Sequence, residues 1–155
     1  MRFVIIVLMS VLAIHGCHNG KDDLTCQVEY YFNKQSISFT PEQDVVLIIP
    51  ANGCPGCVAD GLKFITKNQQ YFSKGQNKNS IIFTGVASKK LLHRKLKGIK
   101  IENLAAKIDT AEIYLVDFDA CDYPLVIYLN NGAINKAANI TSDSEIYKKL
   151  EHELY

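Results

Sequence analysis

The chain has 155 residues, 48% apolar and 21% charged, which is the balance of a folded domain rather than a disordered segment. Its 17 basic and 16 acidic residues leave a formal charge of +1, and this near-neutrality excludes the strongly basic footprint of a nucleic-acid binder. No repeat, low-complexity tract or interior Pro/Gly/Ser linker divides the chain, so one compact domain is expected.

The N-terminus reads as an export signal: Arg2 supplies a positive start, Phe3 to Ile14 an apolar stretch, and Gly16 a small residue at a cleavage site. That stretch, twelve residues long, is too short to span a bilayer. Ala13-Ile14-His15-Gly16-Cys17 resembles the lipobox of bacterial lipoproteins, in which the cysteine is acylated and becomes the mature N-terminus. The resemblance implies a signal peptide over 1–16, a lipidated tether over 17–25 and a domain over 26–155. It also implies a place in the bacterial cell envelope, lipid-anchored on the periplasmic side of the inner or outer membrane or at the cell surface. Loss of Arg2 with the leader leaves 16 basic against 16 acidic residues. Export puts Cys26, Cys54, Cys57 and Cys121 where disulfides form and persist.

In chain order, Val28 to Phe32 and Ile37 to Phe39 read as short strands of an N-terminal β extension, with a turn over Asn33 to Ser36. The unalternating run Val45 to Ile49 predicts a strand buried on both faces and ending at Pro50. After the Cys54-Pro-Gly-Cys57 segment, Val58, Leu62, Ile65 and Phe72 fall near helical spacing, so a helix is expected from Pro55 or Cys57 to about Phe72, weakened or bent at Gly61. Ile81 to Val86 predicts a second buried strand, and Ser88 is placed to cap a helix through about Leu96. A short helix is expected around Glu102 to Ile108 and an extended piece over Ile113 to Val116. Pro124 to Leu129, Asn131-Gly132 and Ala133 onward form a strong hairpin signal. Ser142 with Glu145 is a capping-box pattern opening a last helix.

This alternation predicts an α/β fold with a mixed sheet. Val45 to Phe72 resembles the first strand, active-site turn and helix of the thioredoxin superfamily, and Tyr123 to Gly132 resembles its cis-proline strand and hairpin. Export, the lipobox and the long stretch between the cysteine pair and the proline are most similar to the TlpA-like branch or related envelope members. The resemblance implies a thioredoxin-like mixed sheet flanked by helices. It further implies thiol–disulfide exchange on exported proteins that carry cysteines or disulfides, with electrons from a transmembrane donor. No cofactor is implied.

The chemistry follows from the residues. A thiol at a helix start is stabilised as thiolate by unpaired N–H groups and the positive end of the macrodipole. Cys54 is the expected nucleophile and Cys57, one turn on, the resolving thiol. Pro55 lies between them, and Gly53 stands where the family often has an aromatic residue. Tyr123 and Pro124, and with them Gly53 and Pro55, are the expected partner-binding residues, because a cis X-Pro bond presents the preceding backbone to an extended chain. Ile48 occupies the position of the buried proton-relay carboxylate of many thioredoxins, leaving Asp60, Glu112 or water as substitutes. A metal-binding or metallochaperone-like module and a structural, inactive lipoprotein are the competing readings of the pair. Cys121 is open between an extra resolving thiol, a buried apolar residue and a bridge to Cys26. The cluster Lys89, Lys90, Arg94, Lys95, Lys97 and Lys100 reads as a solvated face or a surface for anionic lipid. His93 and His152 have no second ligand at metal spacing and read as surface residues, so no metal site is expected.

Overall fold

The computed structural model describes residues 20–52, 55–75, 78–96, 99–116, 123–140 and 152; the side chain of Cys57 is outside that description. Its elements in chain order are helix α1 (Asp23–Lys34), strand β1 (Val45–Pro50), helix α2 (Pro55–Lys67), a 3₁₀ turn (Gln69–Phe72) and strand β2 (Asn79–Thr84). Helix α3 (Lys89–Lys95), a second 3₁₀ turn (Ile101–Asn103) and strands β3 (Ala106–Asp109), β4 (Leu125–Asn130) and β5 (Ala133–Asn139) complete them. The predicted C-terminal helix at Ser142 lies outside the described residues.

The five strands form one mixed sheet in the order β3-β2-β1-β4-β5, the α/β class expected. Central β1 is buried throughout and runs parallel to β2 and antiparallel to β4. Its alternate residues supply two cores, because successive strand side chains point to opposite faces. Val45, Leu47 and Ile49 pack with Phe64, Ile65, Phe72, Leu92 and Leu96 under α2 and α3. Val46 and Ile48 pack with Val28 and Phe32 of α1 and with Tyr114, Val116, Leu125 and Ile127.

Of the expected N-terminal β extension, Val28 to Phe32 lies in a helix instead, and Ile37 to Phe39 joins no strand. Asp22 caps α1 by accepting from the Thr25 N–H at 2.7 Å, which satisfies a donor that a helix start leaves unpaired. Val28 and Phe32, one turn apart, are buried, and partly buried Leu24 and Tyr31 pack on the same cluster. That helical stripe overrides the strand propensity of Val28-Glu-Tyr-Tyr-Phe32 because a prepared apolar face is available beneath it. The helix also reaches across the edge strand: the buried Thr25 hydroxyl accepts from the Ala137 N–H at 2.9 Å, and Lys21 Nζ donates to the Ile134 carbonyl at 2.8 Å and pairs with Glu29 at 2.7 Å. Lys21, Asp22 and Thr25, inside the stretch expected as tether, thus cap the helix and bind the edge strand.

A second correction concerns the helix expected over Glu102 to Ile108. Only the 3₁₀ turn Ile101–Asn103 forms there, and Ala106–Asp109 is edge strand β3, pairing in parallel with Ile81 to Thr84. Helix-forming Ala105, Ala106 and Lys107 yield to the open edge of β2, whose backbone groups need partners. Ile113 to Val116 joins no strand; it is a turn ordered by buried Asp109, which accepts from the Thr84 hydroxyl at 2.9 Å and the Tyr114 N–H at 2.8 Å. The β4–β5 hairpin turns at Asn131 and Gly132, both with positive φ (51° and 78°), the conformation that an Asn-Gly pair adopts most readily.

Candidate active site at the start of the second helix

Strand β1 delivers the chain to the site and its neighbours hold the exit loop in place. The Ala51 N–H donates to the Thr84 carbonyl at 2.7 Å, continuing the parallel pairing one residue past the strand. Asn52 Nδ2 donates to the Gly85 carbonyl at 2.9 Å, and Lys95 Nζ of α3 donates to the Ala51 carbonyl at 2.8 Å. Three ties from two elements therefore fix the loop immediately before Gly53 and Cys54.

Helix α2 opens at Pro55, which needs no N–H partner at that position, and places Cys57 in the first turn. No acidic residue stands in that turn, so no carboxylate of the first turn offsets the positive end of the dipole. Gly53 and Cys54 lie outside the described residues. Pro55 and Gly56 are exposed, whereas Val58, one turn deeper, is buried in the core.

The Tyr123–Pro124 peptide bond is cis, as the resemblance implies. Pro124 is buried against α2 at Gly61: a Cβ on that glycine would lie 2.9 Å from Pro124 Cγ and 3.1 Å from Ile49 Cδ1. Gly61, expected only to weaken the helix, is therefore what lets helix, central strand and proline close on one another a turn after Cys57. Sequence spacing gave no sign of this, since the two residues are 63 positions apart.

Tyr123 turns its ring into the α1-side core, and its hydroxyl donates to the Val116 carbonyl at 2.8 Å while accepting from the Val116 N–H. A partner meeting this position would meet backbone, not a phenol. Ile48 is fully buried among Val28, Phe32 and Leu125, so β1 offers no carboxylate at that point. Asp60 is partly exposed on α2 and faces Lys63 at 3.4 Å. Glu112 holds a left-handed backbone (φ 57°), and its carboxylate lies near Gly85.

Cys26 is disulfide-bonded; Cys17 and Cys121 lie outside the described residues. Among the described residues no group of three or more His, Cys, Asp or Glu is gathered to hold a metal, and no helix is long and apolar enough to cross a membrane. His93 is surface-exposed and approaches Glu102 at 3.8 Å.

Beside the exit loop, between α2 and α3, lies a groove of about 480 Å³, lined by Ala51, Asn52, Pro55, Ala59, Leu62 and Lys95. Sequence reasoning placed Lys95 in a solvated basic face. Nothing in its spacing reveals that it reaches the loop ahead of Cys54.

No protein-family model matches the chain, and no curated protein sequence is similar to it. Among solved structures, the fold is similar to that of the exposed lipoprotein thioredoxin of Streptococcus pneumoniae strain TIGR4, at 13% identity and a TM-score of 0.48 over 74% of this chain and 85% of that one. It is also similar to a protein from Neisseria meningitidis described as a thioredoxin, at 21% identity and a TM-score of 0.45 over 72% of this chain and 76% of that one.

Proposed function

We propose that the chain is a thiol–disulfide oxidoreductase that reduces exported protein partners through Cys54 and Cys57. The observation that carries this reading is the close packing of Pro124 on Gly61 of the helix whose first turn contains Cys57. It brings the strand start that would receive an extended partner to the helix that would activate the thiol.

In the forward step the Cys54 thiolate attacks one sulfur of a partner disulfide. That S–S bond breaks, a Cys54–partner mixed disulfide forms, and the other partner sulfur leaves as thiolate and takes a proton. Cys57 then loses its proton and attacks the Cys54 sulfur, releasing the second partner thiol and leaving Cys54 and Cys57 bridged. The partner gains two electrons, and a dithiol donor must resupply them. The α2 N-terminus, with no acidic residue in its first turn, favours the Cys54 thiolate. With Ile48 in place of a relay acid, the proton of Cys57 passes to water or to Asp60, which lies one helical turn further on.

The leader and Cys17 support an anchored location in the bacterial cell envelope, with residues 1–16 removed and Cys17 lipidated. Incorporation of labelled palmitate that disappears in Cys17→Ser tests this part separately.

The activity test is alkylation of the reduced protein across pH. The reading expects Cys54 to react first, with a midpoint below the ordinary thiol value of about 8.5, and Cys54→Ser to abolish reduction of a protein disulfide. A Cys54 midpoint at or above the ordinary value, together with inert disulfide substrates, would sink it. Equilibration with glutathione sets direction: a potential near about −270 mV marks a reductant and one near about −120 mV an oxidant.

A further inference from the structure

We propose that the groove between α2 and α3 is a docking site for the reacting polypeptide, selecting partner segments that carry an apolar side chain beside the reactive cysteine and carboxylates next to it. The inference rests on the redox reading and names the partner chemistry that this reading leaves open.

The groove adjoins the cysteine turn: Pro55, between the two cysteines, is one of its walls, and Ala51 and Asn52 form the loop that leads to Cys54. On the helix wall, Pro55, Ala59 and Leu62 fall at spacings of four and three, the spacing of one helical face. This stripe is separate from the Gly61 face that meets Pro124. The groove is thus a second contact surface, on the flank of the reactive turn that faces α3.

Helix α3 contributes Lys95 to the groove, and the helix behind it is basic. Helix α3 reads Lys-Lys-Leu-Leu-His-Arg-Lys, without an acidic residue in its first turn and with His93, Arg94 and Lys95 in its last. Only His93 has a carboxylate nearby, Glu102; Lys89, Lys90, Arg94 and Lys95 make no ion pair among the described residues. Lys95 is anchored at the groove mouth by the Ala51 carbonyl, a neutral acceptor that leaves its charge uncompensated. The α2 carboxylate Asp60 already faces Lys63.

An apolar trough with Lys95 at its mouth and further cations on the same helix, next to the turn that carries Cys54, matches a peptide in which one hydrophobic side chain fills the trough and flanking carboxylates meet these cations. An anionic bilayer would use the lysines but leave the narrow trough beside Pro55 empty, so a polypeptide is the occupant the whole surface fits.

The test uses reduced full-length protein and three cysteine peptides, each joined through its thiol to thionitrobenzoate: Leu-Cys-Asp-Glu, Leu-Cys-Lys-Lys and Ser-Cys-Asp-Glu. Attack by Cys54 on the peptide sulfur releases thionitrobenzoate, and its absorbance gives the second-order rate constant. At low ionic strength the acidic leucine peptide should react about tenfold faster than the basic one, with most of that advantage lost in molar salt. Lys95→Glu combined with Arg94→Glu should invert the ratio, whereas Lys95→Arg should keep it. Ala59→Trp, at an exposed helix position, should remove the advantage of the leucine over the serine peptide by filling the trough. Equal rates for all three peptides on wild-type protein overturn the docking site while leaving the redox reading intact. Failure to release thionitrobenzoate from any of them overturns both. Equal peptide rates together with lysine-dependent binding to vesicles of phosphatidylcholine and phosphatidylglycerol would assign the α3 cations to lipid instead.

Discussion

The two faces of the sheet take alternate residues of the same central strand and are covered in opposite ways. On the α1 side, Phe32 sits within about 6 Å of the rings of Tyr31, Phe39 and Tyr114, with centroid separations of 5.8, 5.8 and 6.0 Å. Cys26 adds a disulfide, and the helix is tied to the edge strand through Thr25 and Lys21. Among the described residues this face is densely packed. On the other side α2 and α3 bury Phe64, Phe72, Leu92 and Leu96 deeply, yet part near the strand ends to leave the groove beside the cysteine turn. The contrast assigns rigidity to one face and access to the other, an arrangement that suits a site whose reactive atom must be reached while its support stays fixed.

Substitutions on each face separate these roles. Phe32→Ala should cost the most, about 3–5 kcal/mol in urea unfolding, because it empties a fully packed site in the α1-side core; a loss under about 1 kcal/mol would show that this face is not the rigid one. Gly61→Val is expected next, at about 1–3 kcal/mol from overpacking against Pro124 and Ile49, and it should also slow disulfide exchange by displacing the proline. Wild-type exchange in that variant would separate the packing from the chemistry. Asp22→Ala should remove about 1 kcal/mol by uncapping α1, with faster amide exchange confined to its first turn. Leu91→Ser, on the outer surface of α3 at 45% exposure, should change stability by less than about 0.5 kcal/mol.

What could be read in the sequence was local. Val45 to Ile49 announced a doubly buried strand because it contains nothing else, and Asn131-Gly132 announced its hairpin because few residue pairs accept positive φ twice. Pro124 was legible through the strand signal that follows it. The errors arose where distant partners decide. Val28-Glu-Tyr-Tyr-Phe32 favours a strand by residue type and becomes a helix because Val46, Ile48 and Ile127 offer a surface for its stripe. Ala106 to Asp109 favours a helix and becomes a strand because β2 has a vacant edge. At the site, the cysteine spacing and the proline could be read, whereas the roles of Gly61 and Lys95 rest on contacts with Pro124 and Ala51 that no periodicity encodes.

The hydrogen bonds from Ala137 to Thr25 and from Lys21 to Ile134 have a consequence for life at high density. They occupy main-chain groups on one margin of the sheet, and the opposite margin, β3, is only four residues long and carries Lys107. Neither border gives a second copy a flat template to extend, which is how natural sheets avoid growing into one another. Copies at high concentration would therefore collide at these margins and separate again.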